Sequence, residues 1–112
     1  MKKQNASLIA KLLNKNSQPA EVGTERIVMR DARELVPNPK NKAYSQNDIE
    51  QLASMIQMTQ SIEPAIVRQL DDGRYMLMSG YRRCQAQIYR YDQGWLDDPM
   101  LPTITRDYVN AY

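Results

Sequence analysis

Ser79-Gly80-Tyr81-Arg82-Arg83 is the stretch of this chain whose residue types best suit ligand chemistry. The apolar run Tyr75-Met76-Leu77-Met78 before it has strand character and the residues after it have helical spacing, so the glycine stands at a strand-to-helix corner. Glycine lets a ligand approach the backbone closely, and the first turn of a helix leaves N–H groups without intrahelical acceptors. Two adjacent arginines add planar, permanently charged donors that match phosphate oxygens. The chemistry indicated is anion binding, with phosphate as the natural ligand. The competing interpretation is a structural corner whose arginines are solvated.

Other chemistries find less support. Metal-assisted phosphodiester cleavage needs converging carboxylates, and the candidates are the pairs Asp71-Asp72 and Asp97-Asp98. Both fall in predicted turns, where aspartate bonds its own backbone, so no metal ligands are assigned. The chain has no histidine and one cysteine, Cys84, which excludes the usual zinc ligand sets and an intramolecular disulfide. That usage fits a reducing, cytoplasmic setting. Cys84 lies on an apolar helical stripe and reads as a buried, inert thiol. The opening Met1-Lys2-Lys3 precedes an apolar stretch interrupted by Lys11, which is a poor secretion signal, and no run reaches membrane-spanning length.

The net charge of +2 over 112 residues is too small for a field around the whole domain, so any contact with DNA must come from local clusters. The candidates for DNA contact are Arg82, Arg83, Arg90, Lys40 and Lys42, and Arg68, Arg74 and Arg106 could widen such a surface. Tyr75, Tyr89, Tyr91 and Tyr108 fall on amphipathic elements as core residues. Tyr44 and Tyr81 lie close enough to the corner to stack on a base.

The length suits one domain, divided into a basic amphipathic helix and linker over residues 1–23 and a folded unit over 24–112. Alternation over Glu25 to Arg30 predicts a strand, and Pro37 and Pro39 then impose an extended path. Ser45 with Asp48 caps a helix whose buried stripe is Ile49, Leu52, Ala53 and Ile56. Ala65 to Leu70 and Arg74 to Ser79 pair as a hairpin around Asp71-Asp72-Gly73. Tyr81, Cys84, Ile88 and Tyr91 form the core stripe of the next helix, which leaves Arg82, Arg83 and Arg90 off the core, and Leu101 to Tyr108 closes the fold as a strand. The fold class expected is α/β (α+β), a small mixed sheet with packed helices.

The ordered set Asn38-Pro39, Leu52-Ala53-x-x-Ile56, Pro64-x-Ile66-Val67-Arg68 and Tyr75-x-Leu77-x-Ser79-Gly80-x-Arg82-Arg83-x-x-Ala86 resembles the N-terminal domain of ParB/RepB-type partition proteins, over roughly Glu25 to Tyr108. The resemblance implies a ParB/sulfiredoxin-like fold in a cytoplasmic DNA-segregation factor of a bacterial chromosome, plasmid or mobile element. It implies binding of CTP, with Mg2+ as its counter-ion, and homodimeric clamps that close on DNA. By position, Gly80, Arg82 and Arg83 would hold the phosphates, Asn38 would line the facing loop, and Ser79 and Tyr81 would sit within reach. DNA is read in such proteins by a downstream helix-turn-helix, which does not appear before Tyr112. A ParA-type ATPase is the partner implied for residues 1–15.

Tyr81 stands where the family has glutamate, Gln60-Ser61 replaces its glycine before the second strand, and Lys40-Asn41-Lys42 follows Asn38-Pro39 where it has Gln-Pro-Arg. These departures bear on CTP hydrolysis, so turnover is left open. Sulfiredoxin, whose fold is similar, carries its nucleophilic cysteine where this chain has Tyr81. A metal-dependent nuclease and a catalytically silent interaction module are the alternative functions.

Overall fold

The computed structural model describes residues 25–107. A four-stranded mixed sheet in the order β1-β4-β2-β3 carries two helices. The strands are β1 (Val28–Asp31), β2 (Ala65–Gln69), β3 (Tyr75–Ser79) and β4 (Met100–Thr105), and the helices are α1 (Gln46–Thr59) and α2 (Tyr81–Asp92). The pairs β1/β4 and β2/β3 are antiparallel, and β4 runs parallel to β2.

The hairpin forms as its turn chemistry requires. Gly73 takes a φ of 92° and donates to the Leu70 carbonyl at 2.9 Å, while the Leu70 N–H reaches the Arg74 carbonyl at 2.7 Å. β1 is shorter at its start than the alternation suggests. Its ladder follows β4 from Val28↔Thr103 to Asp31↔Met100, and Glu25 instead makes a two-pronged ion pair with Arg106 at 2.6 and 2.7 Å. A 3-10 turn over Ala32–Glu34, capped by the Asp31 carboxylate, leads to Val36, which bridges to Met76 at the outer edge of β3.

β4 occupies the middle of the sheet, which the sequence pattern did not indicate. Leu101, Pro102 and Thr103 are buried in succession on a strand that has a neighbouring strand on each side. Pro102 is tolerated because the ladder to β2 begins only at Thr103. The strand ends at Thr105, and Tyr108 lies outside the described residues, as does the helix expected within 1–23.

The Ser45 hydroxyl accepts from the Asp48 N–H at 3.1 Å and opens α1, whose Ile49, Ala53 and Ile56 are buried. Gln60 ends the helix in a left-handed conformation, φ 56°, with its N–H on the Ile56 carbonyl. α2 lies between the sheet and α1 and so buries two faces. Cys84, with Tyr81 and Ile88 beside it, packs on Ala65, Val67, Leu77 and Leu101. Ala86 meets Ala53 and Ile56, and the two alanines, both fully buried, let the helix backbones approach closely.

That second face corrects the expectation for Arg90, which was placed off the core as a DNA contact. Arg90 is 4% exposed. Its Nε and Nη2 donate to Gln57 Oε1 on α1 at 2.9 and 2.7 Å, and its Nη1 donates to Gln87 Oε1 at 2.8 Å. Gln87 in turn donates to the Met100 carbonyl of β4 at 2.6 Å. Desolvation pulls the Arg90 pKa below its ordinary value. The apolar stripe marks one buried face of a helix, and a face built of alanine and amide-bonded arginine escapes it.

Candidate functional site

Gly80 joins β3 to α2 with a φ of 99°. A Cβ at this position would stand 2.7 Å from the Ala65 Cβ and 3.1 Å from its Cα, so the corner presses directly on the start of β2. No side chain caps α2, and no group among the described residues accepts from the first-turn amides of Tyr81, Arg82 and Arg83. The positive end of a twelve-residue helix therefore presents its N–H groups at this corner.

The corner opens on a cleft of about 660 Å3. Ser79, Gly80, Tyr81, Arg82 and Arg83 all line it, so the structure brings together five of the six nucleotide-binding residues expected. The opposite wall comes from the second half of α1 and the connection to β2. Leu52, Met55, Ile56 and Ile62 make it apolar, and Thr59, Ser61 and Glu63 give it a polar rim. Sequence reasoning missed this wall. The one available signal was Ile62, an apolar residue stranded between the end of a helix and the start of a strand.

Arg82 donates from Nη2 to the Asp48 carbonyl at 3.0 Å, while its Nε is buried with no hydrogen-bond partner. Its Cζ lies 5.9 Å from the Tyr44 ring centroid, and Lys42 Nζ lies 5.5 Å from the same centroid. Tyr44, which lines the cleft, therefore has a cation near its ring from each of two segments. Arg83 donates from Nη1 to the Pro64 and Glu63 carbonyls at 2.8 and 3.3 Å, with the Glu63 carboxylate 3.8 Å away.

Asn38 does not line the cleft. Its Oδ1 accepts the Lys40 N–H at 2.9 Å, its own N–H donates to Asn41 Oδ1, and its Nδ2 faces Met78 Sδ at 3.5 Å. It organises the turn after Pro37, a job that asparagine performs through its own backbone. Lys40 is exposed on that turn. Arg68 and Arg74 are exposed too, with Arg74 held by Asp72 at 2.8 Å. The Arg74 backbone and side-chain donors keep the Asp72 carboxyl below its usual range. Among the described residues, no three His, Cys, Asp or Glu groups are placed to share a metal ion.

Cys84 lies beneath the site, 4% exposed, with Sγ donating to the Ala32 carbonyl at 3.4 Å. Burial, aided by the charge of Asp31, pushes its pKa from 9.0 up to about 11. Below pH 9 the thiol is protonated in both states. Between the two values the unfolded chain releases the proton and the folded chain keeps it, so stability falls as pH rises through that window. At about 1.4 kcal/mol per unit the loss is roughly 2–3 kcal/mol. Denaturant titrations at pH 8, 9, 10 and 11 are expected to show this extra loss for wild type relative to Cys84→Ala, and equal slopes would refute it.

No helix among the described residues is long and apolar enough to cross a membrane. The family model for the ParB N-terminal domain matches residues 14–92. Among solved structures, the C-terminally truncated chromosome-partitioning protein ParB from Caulobacter crescentus complexed with CTP-gamma-S is similar at a TM-score of 0.59, with 22% identity over 77% of this chain and 47% of that one. ParB from Caulobacter crescentus complexed to the centromeric parS site gives 0.53, with 23% identity over 75% and 41% of the two chains. Sulfiredoxin from Arabidopsis thaliana gives 0.56, with 23% identity over 73% and 85%. At such identities the likeness is one of fold, and the chain spans less than half the length of either ParB structure. No curated protein sequence matches the chain.

Proposed function

Because the chain belongs to the ParB N-terminal domain family, we propose that it is the nucleotide-binding and self-association domain of a DNA-partition protein, with CTP as the ligand. The observation that carries this reading is the junction of an uncapped α2 N-terminus, an arginine with an orphaned Nε, and a cleft of about 660 Å3. Phosphates would meet the first-turn amides and the guanidinium groups, and the nucleoside would lie toward the apolar wall or against Tyr44. The solved ParB complex with CTP-gamma-S supports the choice of ligand.

The cleft is in the size range of small-molecule sites, and a Mg2+ arriving with the nucleotide would take its ligands chiefly from the phosphates and water. In this proposal two such domains associate in a cytoplasmic homodimer. The parent protein reads DNA mainly through a helix-turn-helix, and Lys40, Lys42, Arg82 and Arg83 add backbone contacts. A ParA-type ATPase would engage residues 1–15, which lie outside the described residues.

Calorimetry with CTP, ATP and GTP tests the ligand. Wild type is expected to bind CTP, and the Arg82→Ala, Arg83→Ala double variant to lose at least ~100-fold in affinity, since charge-assisted hydrogen bonds are removed. A wild-type protein indifferent to all three triphosphates would end the proposal.

A further inference from the structure

We propose that the cleft between the end of β1 and the start of β3 is a second ligand site, which takes a single carboxylate carried on an apolar body. It shares no lining residue with the nucleotide cleft, so it stands independently of the function proposed above.

The recognition group is Arg30, a half-buried side chain whose guanidinium is fixed by two contacts. Nε donates to the Thr103 hydroxyl at 3.1 Å, and Cζ lies 3.6 Å from the Tyr75 ring centroid. Thr103 is fully buried, and its hydroxyl donates in turn to the Val28 carbonyl at 2.7 Å, which leaves the oxygen free to accept from Arg30. The guanidinium is therefore set in place before any ligand arrives. Nη1 and Nη2 have no acceptor among the described residues, and neither is sealed from the cleft. These are donors that a carboxylate can engage at two points.

The fold withholds the acids that would satisfy them. Asp31, next in the chain, gives its two carboxylate oxygens to Arg33, at 3.0 Å from Nε and 2.6 Å from Nη2, and also accepts the Arg33 N–H at 2.8 Å. Asp72 holds Arg74, the other arginine that lines the cleft. Arg30 enters none of the four ion pairs among the described residues. An anion gains most where a partly desolvated charge is uncompensated.

The walls set the rest of the ligand. The cleft has a volume of about 730 Å3, and Met29, Leu35, Tyr75 and Met100 give it apolar surface. Glu34, exposed and in no ion pair, also lines it and repels a polyanion. One negative charge on a hydrocarbon frame suits these walls, and a triphosphate does not.

The test titrates the intact chain with phenylacetate, uncharged phenylacetamide, inorganic phosphate and a capped Leu-Glu-Leu peptide, followed by NMR shifts of backbone amides and arginine Nε–H groups. Phenylacetate is expected to shift Arg30, Tyr75 and Met100, and to bind at least ~10-fold more tightly than phenylacetamide or phosphate. Arg30→Gln should weaken phenylacetate by roughly 10- to 100-fold. Arg30→Lys, which keeps the charge but not the planar donors, should weaken it by about 10-fold and carries the test if the glutamine variant does not fold. A peptide tighter than phenylacetate supports the site and marks an acidic protein segment as its ligand, and the reverse order supports it with a small carboxylic acid. Phosphate or phenylacetamide binding as tightly as phenylacetate, no shift at Arg30, or folded Arg30 variants that bind like wild type would each overturn it.

Discussion

Gly80→Ala should destabilise the domain by about 2–5 kcal/mol, the sum of a positive-φ penalty of ~1–2 kcal/mol and an overpacking cost of ~1–3 kcal/mol. The φ of 99° penalises any side chain, and the added methyl would meet Ala65 Cβ at 2.7 Å. Relief by sliding is difficult because Ala65 is fully buried and anchored in the parallel ladder with Thr103. The companion change Ala65→Gly removes the worst contact but not the dihedral strain. In a double-mutant cycle the pair should therefore recover part of the loss, with a coupling of roughly 1–2 kcal/mol. Urea unfolding of the four proteins measures it. Strict additivity would mean that the corner relaxes away from β2 and that packing is not what demands the glycine.

Gln57→Leu is expected to cost about 3 kcal/mol, because it takes the acceptor away from two charged donors that stay buried. Gln57 Oε1 is the sole acceptor for two of the three Arg90 nitrogens, and no carboxylate substitutes for it. Arg90→Met should be milder than Gln57→Leu, since it removes the charge and fills similar volume with apolar atoms. The Gln57→Leu, Arg90→Met double variant should recover most of the loss. Thermal and chemical unfolding would rank the three, and a Gln57→Leu variant as stable as wild type would show that water or a rearranged Gln87 takes over the guanidinium.

Local order was legible wherever one residue class decides geometry. Ser45 capped α1 as read, Asp72-Gly73 turned the hairpin, and Ile49, Ala53 and Ile56 marked the buried stripe. The corner at Gly80 was legible too, because few sequences place a glycine and two arginines between strand and helix. Three features stayed hidden. Arg90 looked like surface charge because its partners are glutamines 33 and 3 residues away in the chain, and amides carry no pattern. Asn38 looked available for a ligand, yet its Oδ1 accepts the Lys40 N–H of its own turn and its Nδ2 faces Met78 Sδ on β3. The cleft wall could not be read, since it is made by how α1 crosses α2, a packing result that periodicity does not encode.

The interior strand β4 is the last of the described elements. Val28 on β1 receives the Thr103 hydroxyl across a separation of 75 residues, and β2 likewise has its parallel neighbour only in β4. During synthesis the hairpin and the α1/α2 pair can form as soon as they leave the ribosome, but β1 has no strand to join until Thr105 has emerged. The sheet therefore closes in one late, long-range step, and the nascent domain carries an unpaired edge strand for most of its translation.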